Sequence, residues 1–281
     1  MENKPNDLEL QRMMEQFDKA AWALAKEKLH RHIIQILNRD DESPYKYKPG
    51  GSGVLVQIKG RYFILTASHV TELSKDIDLF ANSQGKIVEI TGDFNESDLS
   101  INKNIDLAFI ELEKNLGELL ARSYDFLPVE KIEYGHAPSK KDKYMASGYP
   151  ERNIRIDEAT HSIITGSSHF LLTISEEKRY KFYRLDPKEN FLLNFEGGGT
   201  DLESGERIRR LDDPYGISGC GLWHLHPFIS EGKLLMDYSL VGIMYMVKRD
   251  KYQVLIANRI EIVVQGLNDR YGLALRPAFG T

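Results

Sequence analysis

The sequence predicts an all-β body with an added helix at its N-terminus and a short helix near its C-terminus. Two observations carry this. Residues 7–38 lack Pro and Gly and are rich in Leu, Met, Glu, Lys, Gln and Ala, which favour helix. From residue 39 the pattern changes to many short apolar runs separated by turn formers, as in barrels and sandwiches. A length of 281 residues suits one large domain or two lobes, with a substantial core.

Asn6 or Asp7 can cap the first helix, and Leu10, Met13, Met14, Phe17, Ala21 and Leu24 recur at helical spacing. That stripe packs on the body or docks a partner or a second copy. A membrane surface suits it less, because Glu and Asp are mixed through its polar face. Asp40, Asp41, Pro44, Pro49, Gly50, Gly51 and Gly53 break the helix. Val54–Ile58 and Tyr62–Thr66 then flank Lys59-Gly60-Arg61 as a hairpin. Ile77–Phe80, Lys86–Ile90 and Leu107–Leu112 follow as strands, and Leu116–Tyr124 as a short helix or link. A second β-rich half has strands at Tyr144–Ser147, Ile154–Ile156, His161–Thr165, His169–Ile174, Lys181–Arg184, Phe191–Phe195, Gly221–Leu225, Ser239–Met246 and Gln253–Ile256. Glu196–Asp213 reads as a long loop, either a solvated excursion or the border of a cleft. Asn258–Leu267 reads as the C-terminal helix.

Composition narrows the function. Lys and Arg number 37 against 42 Asp and Glu, a net charge of −5, which argues against a protein that neutralises duplex phosphates. The single cysteine, Cys220, excludes an intramolecular disulfide and a zinc site built from several thiolates. With no apolar leader and no run of 18 apolar residues, the expected place is a reducing cytoplasm, with no membrane partner.

Three motifs carry chemistry. They are Leu65-Thr66-Ala67-Ser68-His69-Val70 at a strand end, Asn104-Ile105-Asp106-Leu107-Ala108 before an apolar strand, and Pro214-Tyr215-Gly216-Ile217-Ser218-Gly219-Cys220-Gly221. A serine hydroxyl needs a base within hydrogen-bond reach, and imidazole has the right proton affinity. A buried carboxylate fixes the imidazole tautomer and stabilises the imidazolium. Glycines beside Ser218 permit a tight turn in which the N–H groups of Gly216 and Ser218 converge on one oxyanion. Each motif alone has an ordinary explanation as a loop residue, strand-start acid or turn, but all three in order have the residue types that a nucleophile, its base and an orienting acid require.

Gly51-Ser52-Gly53-Val54, Thr66-Ala67-Ser68-His69, Ile105-Asp106-Leu107-Ala108 and Gly216-Ile217-Ser218-Gly219 resemble the trypsin-like (chymotrypsin-fold) serine peptidases, in the manner of bacterial, disulfide-free members. Gly148-Tyr149-Pro150 and Leu240-Val241-Gly242-Ile243 look like strand landmarks of the second barrel. The resemblance implies two six-stranded antiparallel β-barrels with the site between them. The chain then divides into a helical extension over 1–40, a peptidase domain over 41–267 with barrels near 45–135 and 140–257 and a helix over 258–267, and a tail over 268–281. It also implies His69 as base, Asp106 as its orienting residue and Ser218 as nucleophile, with a protein or peptide substrate and no cofactor. The His, Asp, Ser chain order separates this family from subtilisins and α/β-hydrolases.

The sequence departs from the family pattern in three places. Ile217 stands where members activated by N-terminal cleavage carry Asp, so activation by that ion pair is not expected. Cys220 replaces a glycine, and Ser68 an alanine. Asp212 lies where the trypsin branch places the acid of its specificity pocket, although Pro214 can reroute that loop and leave Asp212 an ordinary loop acid. Val241-Gly242-Ile243 resembles the strand that pairs with substrate backbone. His224 and His226 share a strand face but have no carboxylate or thiol cluster beside them in sequence, so no metal is expected. His30 and His32 are expected to be solvated. The expected activity is serine endopeptidase, controlled by residues 7–38, by loop 196–213 or by a regulatory partner docked on 7–38. A silent peptide-binding module of the same fold is the alternative.

Overall fold

The first helix is shorter than its apolar run. In the computed structural model, which describes residues 7–42, 46–72, 78–83, 86–151, 154–157, 162–195, 199–201, 207–208 and 216–275, α1 spans Asp7–Glu27 and a single 3-10 turn follows at Leu29–His32. Ile33–Asn38, expected as helix, lies in strand β1 (Ile33–Arg39). Ile33, Ile34 and Ile36 are β-branched and suit a pleated surface. Pairing with β2 (Tyr47–Ile58), from Ile33↔Val54 to Arg39↔Tyr47, decides the matter. The β body thus begins inside the segment expected to be a helical extension.

The remaining elements follow in order. They are β3 (Arg61–Thr66), α2 (Ser68–Thr71), β4 (Leu79–Ser83), β5 (Lys86–Glu89), β6 (Gly92–Glu96), β7 (Ala108–Leu112), α3 (Lys114–Leu120), β8 (Leu127–Pro128) and β9 (Tyr144–Gly148). Then come β10 (Ile154–Asp157), β11 (Ser162–Thr165), β12 (Ser168–Ile174), α4 (Glu177–Tyr183), β13 (Asn190–Asn194), β14 (Gly199–Asp201) and β15 (Arg207–Ile208). The chain ends with β16 (Gly221–Ser230), β17 (Lys233–Arg249), β18 (Gln253–Arg259) and α5 (Ile260–Tyr271).

Two antiparallel systems result. The first runs β5-β4-β1-β2-β3-β7-β6, with β8 parallel beside β2, and forms a half-barrel. The second runs β13-β18-β17-β16-β9-β12, and the β12–β13 pairing closes it into a six-strand ring. The six-stranded expectation therefore holds for the second half, while the first stays open among the described strands. Lys181–Arg184, expected as a strand, instead ends α4. Glu177 and Lys181 pair across one helical turn at 2.8 Å, and Arg184 adopts the left-handed conformation that stops it. Within the expected loop 196–213, β14 and β15 form a short hairpin. No helix among the described residues is long and apolar enough to cross a membrane.

Strand alternation distributes the apolar side chains. Ile34, Ile36, Leu55 and Ile64 fill the half-barrel, while Tyr144, Ala146, Phe170, Leu222 and Leu255 fill the ring. Alternate residues of the same strands, Ile33, Val54, Val56, Met145 and Trp223, meet between the two systems with Ala21, Leu24 and Ala25 of α1 and Val263 and Leu267 of α5. The first helix is thus sewn into the core through its second half. Leu8, Leu10, Met13 and Met14 of its first half stay exposed.

Candidate active site

The register of β3 and β7 places the first two candidate residues. Thr66 pairs with Ala108, so His69 and Asp106, just beyond the two strand ends, lie side by side. One turn of helix, α2, turns the His69 ring back toward the carboxylate. Asp106 accepts two bonds from one residue: the His69 backbone N–H at Oδ1, 3.0 Å, and Nδ1–H at Oδ2, 2.7 Å. A carboxylate only accepts, so the ring proton sits on Nδ1 and the Nε2 lone pair is left free. The Asp106 side chain is buried and the His69 ring half-exposed. The second ring steadies this pair. Asn258, fully buried, accepts the Asp106 N–H at 2.8 Å and donates to the Asn104 carbonyl at 2.7 Å and to Asn190 Oδ1 at 3.0 Å. Asn258 was expected merely to open the C-terminal helix. A polar amide closing the run Val254-Leu255-Ile256-Ala257 was its sequence signal.

Ser218 sits on a turn closed by Cys220 N–H to the Ile217 carbonyl at 3.0 Å. Gly219, at φ +85°, occupies the position where a type II turn demands glycine. A Cβ there would also lie 2.0 Å from the Ser52 carbonyl oxygen. Gly216 has φ +90°, and its Cβ would meet the Tyr149 oxygen at 2.5 Å. Ser52 ties this loop to both halves. Its N–H donates to the Ser218 carbonyl at 2.8 Å, its Oγ–H donates to the Gly216 carbonyl at 2.7 Å, and its Oγ accepts Tyr149 N–H at 2.9 Å. Among the described residues, no acceptor takes the backbone N–H of Gly216 or Ser218, as donors reserved for an oxyanion require. A Cβ at Gly51 would touch Val70 at 2.7 Å and the Ser218 carbonyl at 3.1 Å, which brings the Ser218 loop against the helical turn of His69. The hydrogen bonds of His69 among the described residues are those to Asp106, and none joins it to Ser218. Such contacts commonly tighten only with substrate bound.

The departures have physical readings. Ile217 is buried in the ring's core beside Tyr144 and Phe170, so an apolar pin holds the loop where an ion pair was ruled out. Cys220 is buried against Gly148, where an added Cβ would stand 2.7 Å from its own Cβ. Burial pushes the Cys220 thiol well up, which leaves it protonated and unreactive.

Not every expected residue reaches the site. Val241 is fully buried in the ring, and Gly242 is paired with both Leu222 and Arg259. With both its edges occupied, Gly242 cannot add a substrate strand, and Val241 is buried at a bulge where it pairs with neither neighbouring strand. The edge opens further along. β16 ends its pairing at Gly221↔Ile243, and from Tyr245 to Arg249 no strand lies on that side of β17 among the described residues. Asp212 lies outside the described residues. His32, expected to be solvated, is buried and bonded to Tyr238 Oη at 2.6 Å and the Asp125 carbonyl at 2.7 Å. His224 and His226 do have a carboxylate beside them, because the fold delivers Glu133 from the segment between the two sheets.

The fold is chymotrypsin-like. Among solved structures it is similar to a scabies mite inactivated protease paralogue, at TM-score 0.54 and 15% identity over 87% of this chain and 96% of that one. It is also similar to human heparin binding protein, at TM-score 0.53 and 13% identity over 89% of this chain and 95% of that one. At such identities the likeness shows the fold alone. No family model and no curated protein matches the sequence.

Proposed function

We propose that the chain is a serine endopeptidase that cleaves peptide bonds through an acyl-enzyme. One observation carries the reading: both N–H groups of His69 are bonded to the buried Asp106 carboxylate, beside a glycine-bracketed Ser218. Ser218 Oγ attacks the scissile carbonyl carbon while His69 Nε2 takes the hydroxyl proton. The carbonyl oxygen becomes an oxyanion held by the N–H groups of Gly216 and Ser218. The C–N bond then breaks, and His69 gives its proton to the leaving amine. Water repeats the sequence to free the acid and restore Ser218. The substrate is an extended protein or peptide segment laid along the open edge of β17 from Tyr245 onward, by strand addition. Control runs through a protein partner on the exposed first half of α1, where Leu8, Leu10, Met13 and Met14 face solvent, or through the loop over 196–213.

A silent peptide-binding module of the same fold is the second reading. It is favoured by the missing Ser218–His69 bond and by the likeness to an inactivated paralogue. A fluorophosphonate probe separates the two. Covalent labelling that Ser218→Ala abolishes supports the peptidase. Peptide binding without any labelling supports the module.

A further inference from the structure

A second cluster of imidazoles and carboxylate lies apart from the triad. Glu133 and His136 belong to the segment between β8 and β9, and His224 and His226 to β16. Three of them, Glu133, His136 and His224, present ligand atoms that all lie within 4.8 Å of one another. His136 Nδ1 stands 2.9 Å from Glu133 Oε1, and His224 Nδ1 stands 3.0 Å from Oε2. His226 Nε2 lies 3.5 Å from the same Oε2 and bonds Ser239 Oγ at 2.8 Å. The rings pack closely, with centroids 4.1 Å apart for His136–His224 and 4.2 Å for His224–His226.

We propose that Glu133, His136, His224 and His226 form a binding site for one zinc-class divalent transition-metal ion. Zinc bonds to imidazole nitrogen and carboxylate oxygen at about 2.0–2.2 Å, so tetrahedral ligands stand about 3.3 Å apart. The three nitrogen–oxygen separations here, 2.9, 3.0 and 3.5 Å, bracket that spacing. Three borderline nitrogens exclude calcium and magnesium, which demand oxygen ligands. The outer partners suit a metal as well. A ligating imidazole commonly donates its other N–H to an orienting acceptor. His136 Nε2 has Tyr144 Oη at 2.7 Å and Asp142 Oδ2 at 3.6 Å for that role. Glu133 and Asp142 together match the charge of a dication. His136 is buried, His224 is partly buried and His226 is the most exposed of the three, so an ion can enter from the His226 side. Bound there, the ion staples the segment between the two sheets to the ring. It does for this cysteine-poor chain what a disulfide does elsewhere, and it takes no part in peptide cleavage.

The test is a calorimetric titration of chelator-stripped full-length protein with zinc chloride, paired with the melting temperature and the visible spectrum of the cobalt form. The expected result is one zinc per chain, a higher melting temperature with zinc, and a cobalt spectrum of tetrahedral type. His224→Ala should weaken zinc binding by at least about 100-fold, and Tyr144→Phe by about 10-fold. His226→Ala, at a half-exposed position that folding tolerates, should weaken it by at least about 10-fold and carries the test should His224→Ala not fold. His69→Ala should bind zinc as the wild type does. Absence of stoichiometric zinc overturns the proposal. So does affinity unchanged in His226→Ala, or affinity lost in His69→Ala.

Discussion

At Asp106 one carboxylate serves one imidazole, whereas at Glu133 one carboxylate faces three. The consequence lies in which nitrogens remain free. His69 gives both its N–H groups to Asp106, so Nε2 is left with a lone pair at a half-exposed edge, as a base requires. At Glu133 the nitrogens of His136 and His224 are bonded to the carboxylate and that of His226, 3.5 Å away, is bonded to Ser239, so none of the facing nitrogens is left free and all three converge on a common centre. The same two residue types thus make a proton acceptor in one place and a chelating cluster in the other. The difference is how many histidines the fold brings to one acid: one from the helical turn α2 at Asp106, and one from the inter-sheet segment with two from β16 at Glu133.

The largest effect that could break this comparison is on the acid of the first site. Asp106→Asn should lower the acylation rate by about 10⁴-fold, because the ring takes the wrong tautomer. Zinc affinity should be unchanged. A labelling time course beside a zinc titration reads both, and a fall in zinc binding would mean that the two sites are not independent. His169 sharpens the contrast next, as a histidine with no carboxylate partner among the described residues. Its ring is fully buried, bonded to Ser147 Oγ at 2.8 Å and Ser167 Oγ at 3.1 Å, and burial pushes it down to about 3. The unfolded ring takes a proton near 6.5. The unfolded state therefore binds more protons between those values, and stability rises with pH across the window and is complete above it. This histidine alone should lower the unfolding free energy by about 1.4 kcal/mol per unit of acidification below pH 6.5. Urea midpoints of the wild type and His169→Gln at successive pH values measure that share, and parallel profiles would contradict it.

The mirror of the first change is Glu133→Gln. It should cost about 1–3 kcal/mol of stability, since imidazole donors lose a charged acceptor, with acylation within about twofold of wild type. Smaller still is Ile217→Val, which should cost about 0.5–1.5 kcal/mol by trimming the apolar pin of the nucleophile loop. The loss should be the same at low and high salt. A salt-dependent loss would point to a charge holding that loop.

The sequence made the first site legible and hid the second for one physical reason. His69, Asp106 and Ser218 each lie in a short motif whose neighbours, strand ends and turn glycines, carry local geometry in the chain itself. Glu133 has a turn glycine nearby in Gly135, but nothing local ties it to β16. It reaches His224 across 91 residues through the path of the inter-sheet segment, which no local pattern encodes. Asn258 was hidden in the same way, since its role depends on Asp106 being delivered from the other sheet. β1 was misread for a different reason. Its apolar run continues the preceding helix without a Pro or Gly break, and only pairing with β2 and β4 settles it as strand. Val241 and Gly242 were recognisable as strand but not as interior strand, because edge and centre differ only by which neighbours pair.

The central claim, that Ser218 is a nucleophile activated by the His69–Asp106 pair, is tested most directly by mass spectrometry of the full-length protein after fluorophosphonate treatment. One adduct per chain at Ser218, formed about 10⁴-fold more slowly in Asp106→Asn and absent in Ser218→Ala, is the predicted result. A folded wild type that binds extended peptides yet gains no adduct, or an adduct that persists in Ser218→Ala, would contradict it.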